Sequence, residues 1–343
     1  LGESILAVLG KAETKEEHYR GEYIKTLAES LKSKIQTPNS KNLDAETIGR
    51  FAAEELLKQI KQSLKNVNIK FDVWFSEYKK LRQGSEIQKS LAMLEKNNLV
   101  EKKEGAIWLK TSDIADEKDR VLVKSDGQPT YFLVDLAYHY DKLVKRKFDK
   151  AIDIWGADHH GYVARLKAGV KALGIDPERL KIVITQFVRL VEDGKEAKMS
   201  KRAGEFVTLD ELIKEVGKDA ARFFFLMHSP DTHMDFDLAL AKEKSLKNPV
   251  YYVQYAFVRA NSILTKANSK SLPGRQAGEI RNPKQIQISK FKTLNTEAEM
   301  NLVRELIKLP DVLLQTAEDY QVSRLARYAM ELAKAVHNFY EKE

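Results

Sequence analysis

The chain has 343 residues, of which 43% are apolar and 31% charged, and its formal net charge is +8. This composition is typical of a folded protein with room for two domains; it excludes a disordered or fibrous chain, and no apolar run nears the roughly 18 residues of a membrane span. The absence of cysteine excludes disulfides, thiolate zinc sites and a thiol nucleophile, and it agrees with the cytoplasmic location, without a membrane partner, that we expect.

Residues 16–65 are predicted to be helical. Their apolar positions recur at helical spacing: Tyr23, Leu27, Leu31, Phe51, Leu56, Ile60 and Leu64. From residue 69 to 109, aromatic and β-branched pieces (FDVWF and AIWL) surround a helix rich in Lys and Glu. We therefore predict a small α+β insertion at about residues 66–125.

Strand and helix signals then alternate. The run AIDIW at 151–155 predicts a buried strand, residues 162–173 predict a helix that ends at Gly174, and LKIVI at 180–184 predicts a second strand. This alternation predicts a parallel sheet with helical crossovers.

From about residue 239 the chain predicts helices alone. Thr208 and Glu211 form a capping-box pattern before a helix that Gly217 closes. The last apolar stripe follows helical spacing: Val322, Leu325, Ala326, Ala329, Leu332, Ala333, Val336 and Tyr340. We therefore predict an α/β domain over residues 1–240 and an all-α domain over residues 241–343.

The net charge is concentrated in residues 241–290. This segment holds ten Lys and Arg residues against two Glu, so the formal excess of +8 falls within it. Such an excess is typical of a surface that meets a polyanion such as nucleic acid. A solvated, flexible basic loop around residues 269–283 is the alternative.

A basic cluster follows the Asp193-Gly194 turn signal. Three cations and a hydroxyl lie within five residues: Lys198, Met199, Ser200, Lys201 and Arg202. Lysines act as point charges for phosphate oxygens, so the pattern favours a loop that closes over a polyphosphate. A solvated basic cluster is the alternative reading.

Polar residues follow the predicted strand at 151–155. Gly156, Asp158, His159 and His160 lie just past its carboxyl end, where open α/β proteins bind ligands. Adjacent side chains in a turn point apart and no other cluster lies nearby, so we do not expect zinc. We expect a polar floor for a nucleotide and an amino acid, although both histidines are equally suited to structural hydrogen bonds.

Tyr131 and Asp135 lie four residues apart in TYFLVDLAYH. On a helix they share one face, where a ring and a carboxylate suit a guanidinium or ammonium ligand. The alternative is an amphipathic helix in which Asp135 pairs with an arginine of the chain.

Taken together, these segments resemble bacterial-type arginyl-tRNA synthetases, of class I, in order and spacing. The segments that carry the resemblance are YRGEYIKTLA (19–28), FDVWFSE (71–77), DRVLV (119–123), TYFLVDLAYH (130–139), WGADHHGY (155–162), AKMSKRAG (197–204), VGKDAARFFFL (216–226) and NPVYYVQYA (248–256). The KMSKR sequence alone indicates only class I. The pairing of TYFLVDLAYH with WGADHHG, and NPVYYVQYA beyond them, points to arginine in particular.

The resemblance implies a Rossmann-like α/β catalytic domain with an insertion, followed by an all-α anticodon-binding bundle. It implies an enzyme that uses ATP, with Mg²⁺ accompanying the ATP and no structural zinc, to join L-arginine to tRNA(Arg). We expect a monomer. The implied catalytic residues are Lys198, Ser200, Lys201 and Arg202. The implied arginine-binding residues are Tyr131, Asp135 and Asp158. The implied ATP-binding residues are Gly156, His159, His160, Val188 and Met199, and the implied tRNA-binding residues are Tyr251, Tyr252, Gln254, Tyr255 and Arg259.

The chain departs from the family pattern in three ways. It has no HIGH-type sequence, so we expect the N-terminal half of the catalytic domain to be missing and the chain alone to be inactive. It stops earlier than family members do. Glu205 and Phe257 replace the usual Asn and His.

Two other functions stay open at this point. One is a non-catalytic fragment or paralogue that binds tRNA or another RNA. The other is a different class I synthetase, such as the cysteine or glutamate enzyme. The absence of cysteine disfavours the zinc-containing cysteine enzyme, and the Tyr131–Asp135 pair favours a cationic substrate.

Overall fold

The computed structural model describes five stretches of the chain: residues 1–35, 44–192, 194–196, 207–270 and 296–342. The helices are α1 Gly2–Val8, α2 Glu22–Ile35, α3 Ala45–Asn66, α4 Glu86–Lys96, α5 Tyr131–Tyr140, α6 Val163–Ala172, α7 Leu209–Val216, α8 Lys218–Met227, α9 Leu238–Lys242, α10 Pro249–Lys270, α11 Glu297–Ile307, α12 Leu309–Asp319 and α13 Ser323–Lys342. The strands are β1 Val100–Lys103, β2 Ala106–Leu109, β3 Arg120–Val123, β4 Ala151–Gly156, β5 Leu180–Thr185, β6 Val188–Glu192, β7 Lys195–Glu196 and β8 Met234–Asp237.

Contacts between residues divide the chain into two compact units. The first comprises Leu1–Lys70, Arg189–Ser229 and Asp235–Glu343. The second comprises Phe71–Val188 and Pro230–Met234. The predicted division into an α/β domain over residues 1–240 and an all-α domain over residues 241–343 stays a prediction.

In the first unit, α1, α2 and α3 share one apolar core. Ile5, Ile24 and Ile48 are almost completely buried in it. A Cβ atom on Gly2 would lie 1.7 Å from the carbonyl oxygen of Ala45, so α1 approaches α3 at a distance that only glycine allows. The helical prediction for this part of the chain is confirmed in α2 and α3.

The rest of the first unit also follows the sequence pattern closely. Thr208 and Glu211 form both hydrogen bonds of the predicted capping box, and the positive φ of Gly217 ends α7. Strands β6 and β7, which flank the Asp193-Gly194 turn signal in the sequence, pair in antiparallel fashion. The pattern did not reveal β8, which lies on the other side of β6.

The described residues after 237 are helical or in connecting turns, as predicted. Helix α13 packs on α10, α11 and α12. Ala326 and Ala333 of the predicted apolar stripe are buried, as is His337, whereas Val322 and Tyr340 at the two ends of the stripe are exposed. Thr296 and Glu299 form a second capping box, at the start of α11.

The second unit combines an antiparallel sheet, in the order β1-β2-β3, with a parallel pair, β4-β5. AIWL forms β2, whereas FDVWF forms no strand. Its core lies around α5 and α6, with Leu133, Leu136 and Leu166 fully buried. A Cβ on Gly169 would lie 2.5 Å from Cδ2 of Leu136, so α5 and α6 approach closely at this glycine.

The parallel pair confirms the predicted crossover. Strands β4 and β5 pair in parallel along their whole length, α6 lies between them in the chain, and Gly174 has the positive φ of a helix end. The expectation that β4 is buried was wrong for one face, because Ile152 and Ile154 are 47% and 71% exposed. Among the described residues of this unit, only the opposite face of the pair is covered.

Candidate functional site

Thr130 fixes the start of α5. Its hydroxyl donates to the carbonyl oxygen of Val121 at 2.8 Å and accepts a longer bond, 3.5 Å, from the N–H of Leu133. This N-cap joins the helix to the end of the antiparallel sheet. Tyr131 therefore lies in the first turn, and Asp135 lies one turn later on the same face.

Tyr131 and Asp135 have different environments. The ring of Tyr131 is 80% exposed, whereas Asp135 is half-buried. The hydroxyl of Tyr162 donates to Oδ2 of Asp135 at 2.8 Å. Burial raises the pKa of the Asp135 carboxyl, and the bond from Tyr162 opposes that rise. Among the described residues no Lys or Arg forms an ion pair with Asp135, so the alternative of a partner arginine finds no support there.

His139 holds the backbone of Asp135. Its Nδ1 lies 2.7 Å from the carbonyl oxygen of Asp135, and its Nε2 lies 2.7 Å from Oδ2 of Asp153. Both partners accept hydrogen bonds, so the ring satisfies both only when each nitrogen carries a proton. This pair of bonds joins the middle of α5 to β4.

Asp153 is the ionised centre of that network. Its Oδ1 accepts a hydrogen bond from Nζ of Lys142 at 2.7 Å. Burial by itself raises the pKa of Asp153, but the bonds and charges of His139 and Lys142 outweigh it and lower the pKa to about 2. The carboxylate is therefore charged at neutral pH, and it fixes α5 relative to the parallel strands.

The turn after β4 carries the other predicted polar residues. Ala157–Tyr162 form a 3-10 turn, on which Asp158, His159 and His160 are exposed. The carboxylate of Asp158 lies 3.6 Å from Nε2 of His159. A Cβ on Gly156 would lie 2.6 Å from Oδ1 of Asp158, so this exposed carboxylate folds back over Gly156. These side chains are accessible to a ligand rather than buried as core groups.

The end of β4 and the face of α5 meet in an aromatic cluster. Tyr162 contacts Asp135 directly, and its ring centroid lies 5.6 Å from that of Trp155. The Trp155 ring in turn lies 6.2 Å from the ring of His159. Val188, at the start of β6, is 41% exposed, and none of these bonds or ring contacts involves it.

The basic cluster lies outside the described residues. Its members are Lys198, Met199, Ser200, Lys201 and Arg202, and their predicted roles stay predictions. Within the described stretches, no group of three or more His, Asp or Glu side chains is placed to hold a metal ion. No helix in those stretches is long and apolar enough to cross a membrane.

The predicted RNA-facing residues share α10 but have different environments. Tyr251 and Gln254 are exposed, and the amide of Gln254 donates to Asp219 at 3.3 Å. The ring of Tyr251 stacks on that of Tyr255 with centroids 6.0 Å apart. Tyr252 is half-buried and faces α13. Tyr251 is therefore the aromatic residue of this set that is best placed to meet an external base.

Arg259 is enclosed between α10 and α13. Its guanidinium carbon lies 4.3 Å from the ring centroid of Tyr255 and 4.5 Å from that of Tyr340. One guanidinium nitrogen donates to Nδ1 of His337 at 3.3 Å and lies 3.8 Å from a carboxylate oxygen of Glu341. The side chain of Arg259 is only 21% exposed. Its contacts join two helices of the bundle.

The buried ring of His337 takes a single tautomer. Its Nδ1 faces the guanidinium of Arg259, which can only donate, so Nδ1 accepts. Its Nε2 lies 3.1 Å from the carbonyl oxygen of Tyr252, so Nε2 carries the proton. A neutral ring satisfies both bonds. A cavity of about 930 Å³ opens beside this cluster, with Arg304, Lys308 and Glu331 on its walls.

Two protein-family models match the chain, one over each of two successive regions. The family model "tRNA synthetases class I (R), catalytic domain" matches residues 8–232. The model "DALR anticodon binding domain" matches residues 253–343. The first match alone covers more than half of the chain.

Similar curated proteins are named Arginine--tRNA ligase. That of Carboxydothermus hydrogenoformans is 44% identical over 341 residues, which are 98% of this chain and 59% of the relative. That of Moorella thermoacetica is 45% identical over 298 residues, 87% of this chain and 51% of the relative. The chain therefore spans between half and three fifths of the length of these two relatives.

Solved structures show the same relationship. A Campylobacter jejuni protein, assigned as an arginyl-tRNA synthetase, superposes with a TM-score of 0.84 at 33% identity, over 99% of this chain and 73% of that one. The arginyl-tRNA synthetase of Thermus thermophilus gives a TM-score of 0.71 at 21% identity, over 100% of this chain and 66% of that one. The chain belongs to the class I arginyl-tRNA synthetase family.

Membership of the arginyl-tRNA synthetase family confirms the resemblance and the predicted fold class. The family match over residues 8–232 includes both α5 and the turn after β4. The DALR match includes α11, α12 and α13 and most of α10. The roles of individual residues within the family fold are not tested by these matches and stay predictions.

Sequence reasoning missed several residues that the arginyl-tRNA synthetase fold brings to the site. Helical spacing places Tyr162 only at the start of a helix, yet the residue contacts Asp135 across 27 positions of sequence. His139 and Asp153 lay inside quoted segments without a role. A signal did exist, because a Tyr, a His and an Asp within apolar segments need hydrogen-bond partners when they are buried.

Proposed function

We propose that the protein is an arginine–tRNA ligase. The arginine carboxylate attacks the α-phosphorus of ATP, which yields arginyl-adenylate and releases pyrophosphate. A ribose hydroxyl at the end of tRNA(Arg) then attacks the arginyl carbonyl and releases AMP. ATP, L-arginine and tRNA(Arg) are the proposed partners, and Mg²⁺ accompanies the ATP.

One observation carries the proposal for arginine: the half-buried carboxylate of Asp135 lacks a Lys or Arg partner within the described chain. Leaving such a group ionised and unpaired is costly, and a bound guanidinium would remove that cost. The exposed ring of Tyr131, one turn away, offers a face on which the guanidinium can stack. Asp158, exposed after β4, supports a second polar contact to the substrate.

The nucleotide belongs at the carboxyl end of β4 in this proposal. Gly156, His159 and His160 lie where parallel-sheet proteins bind ligands, and Val188 begins the strand that leads toward the basic cluster. Lys201, with Lys198, Ser200 and Arg202, would meet charge that develops on the departing pyrophosphate. A cation that meets this charge mainly in the transition state raises kcat without tightening ground-state binding.

We assign tRNA contacts to the exposed part of α10 and to the residues just before this helix. Tyr251 and Gln254 point outward, and Lys244 and Lys247 are exposed just before the helix. An exposed ring can stack on an unpaired base, and exposed lysines can neutralise phosphates. Arg259 is a weaker candidate, because its guanidinium is already held within the bundle.

Amino-acid-dependent charging tests this proposal. The complete protein, with any residues that its gene places outside this chain, is incubated with ATP, Mg²⁺ and tRNA(Arg) and with each amino acid in turn. The expected result is charging by arginine alone, with AMP and pyrophosphate as products. Charging by another amino acid, or RNA binding without any charging, would contradict it. The cytoplasmic location, the monomeric state and the absence of structural zinc stay predictions.

A further inference from the structure

We propose that Tyr162 is a positioning residue for amino-acid specificity: its hydroxyl holds the Asp135 carboxylate in one plane, which suits the planar fork of a guanidinium. This inference rests on the proposed function, because it takes Asp135 as the group that binds the substrate side chain. It assigns Tyr162 a role that acts through Asp135 rather than through contact with substrate.

The Tyr162 side chain is fixed on several sides. Its ring lies edge-on to Phe132, with centroids 6.2 Å apart, and is tilted against Trp155 at 5.6 Å. The guanidinium carbon of Arg165 lies 5.1 Å from the ring centroid. A ring held in this way delivers its hydroxyl to a single place, Oδ2 of Asp135.

The spacing of the two helices fixes the same contact. Gly169 allows α5 and α6 to approach so closely that a Cβ atom there would lie 2.9 Å from the ring of Phe132. On the other side of Asp135, His139 holds its carbonyl oxygen at 2.7 Å. The residue is therefore held at both its backbone and its carboxylate.

This arrangement leaves acceptor positions of the Asp135 carboxylate for a ligand. A carboxylate has about four acceptor positions, and the bond from Tyr162 takes one of them on Oδ2. Oδ1 and the remaining position on Oδ2 can accept two parallel N–H bonds from a guanidinium. A lysine ammonium is a compact charge that tolerates a rotated carboxylate, so a fixed plane favours arginine over lysine.

The charged groups around Asp135 provide a pH-dependent measurement that a purely structural role of Tyr162 would leave unchanged. Burial raises the pKa of Asp135; the Tyr162 bond and the charge of His139 lower it, and Glu77 and Asp153 raise it. Loss of the Tyr162 hydroxyl removes a group that favours the ionised carboxylate. The pKa of Asp135 then rises further, and arginine binding weakens at a higher pH than in the wild type.

The test is Tyr162→Phe in the complete protein, with Tyr138→Phe as the matched control on α5. Arginine-dependent ATP–pyrophosphate exchange is measured with tRNA present at several pH values. We expect the KM for arginine to rise about 10- to 100-fold, the scale for a hydrogen bond to a charged group, with kcat nearly unchanged. The acid limb of the KM profile should move to higher pH, and inhibition by lysine should change much less. Tyr138→Phe should match the wild type.

A second substitution separates positioning from folding. 3-Fluorotyrosine at position 162 keeps the ring and makes its hydroxyl a stronger donor, so the acid limb should move to lower pH. An Asp135→Asn protein provides the reference for the proposed function. A normal KM and pH profile in Tyr162→Phe, beside a large defect in Asp135→Asn, would overturn this inference and leave the function standing. Normal arginine binding in both proteins would overturn the function itself.

Discussion

The second unit and the α10–α13 bundle each contain a buried histidine that joins two elements, and the two histidines are held in opposite ways. His139 lies between two acceptors, the carbonyl of Asp135 and the carboxylate of Asp153, which together call for a doubly protonated ring. His337 lies between a donor, Arg259, and an acceptor, the carbonyl of Tyr252, which call for a neutral ring.

Asp135 and Arg259, the charged residues bonded to these two histidines, also differ in their partners. Asp135 is half-buried, and its one described side-chain bond comes from the neutral hydroxyl of Tyr162, so among the described residues it has no Lys or Arg partner. Arg259 has two aromatic faces, an imidazole acceptor and a carboxylate at 3.8 Å. A charge that the fold leaves unpaired is suited to a ligand. A charge that the fold has already paired is suited to holding helices together.

The largest effect is expected at Asp153. Asp153→Ala leaves His139 and Lys142 without their buried counter-ion, which should lower the free energy of unfolding by about 3–5 kcal/mol. Urea unfolding measures this free energy. The control is Asp113→Ala, at an exposed position, which should stay within about 0.5 kcal/mol of wild type. Equal losses in the two variants would show that the network around His139 does not stabilise the unit.

Acid should weaken the same network. The pKa of Asp153 is lowered to about 2, so the stability that it contributes is present above about pH 4 and is lost as the pH falls toward 2. The contribution corresponds to about 2 kcal/mol. Unfolding free energies of wild type and Asp153→Asn, measured from pH 6 to pH 3, should converge as the pH falls. Parallel curves would contradict the assignment.

At Arg259, the partner of His337, we expect a smaller loss of stability. Arg259→Gln removes the cation from between Tyr255 and Tyr340 and should cost about 1–2 kcal/mol of stability. Arg259→Lys should not restore it, because an ammonium lacks the flat faces that stack on both rings. Thermal unfolding is the measurement, and Lys247→Gln, at an exposed position, is the control. Full recovery with lysine would show that charge alone acts here.

The smallest effects concern tRNA binding. Replacing both Lys244 and Lys247 with Gln should reduce the slope of log K against log salt by about 1.5–2, if each contacts one phosphate. Arg259→Gln should change that slope less, since its charge is already paired. A slope unchanged by the double substitution would remove these lysines from the interface. A large change with Arg259→Gln would reverse the assignment of the two regions.

Much of the fold followed from local patterns. The capping box at Thr208, the crossover from β4 to β5 and the stripe of α13 are each encoded within a few turns of chain. Strand β8 was missed because it is only four residues long and because its partner β6 is distant in the sequence. The exposure of Ile154 was missed because an apolar strand predicts burial on both faces.

The site was less predictable than the fold. Tyr131 and Asp135 were found because helical spacing places them on one face. Tyr162 was not found, because its bond to Asp135 depends on the close approach of α5 and α6 at Gly169. Arg259 was predicted to bind tRNA, and only the packing of α13 reveals the aromatic rings around it. Sequence gives the residue types, whereas tertiary packing decides which charges remain unpaired.

Asp135 is proposed to pair with the guanidinium of the substrate. The direct test is the KM for arginine of Asp135→Asn in the complete protein, measured by ATP–pyrophosphate exchange with tRNA present. A guanidinium that loses its partly buried carboxylate should bind about 100-fold or more weakly. The KM for ATP should change little. An arginine KM equal to that of the wild type would place the substrate side chain elsewhere and contradict the account.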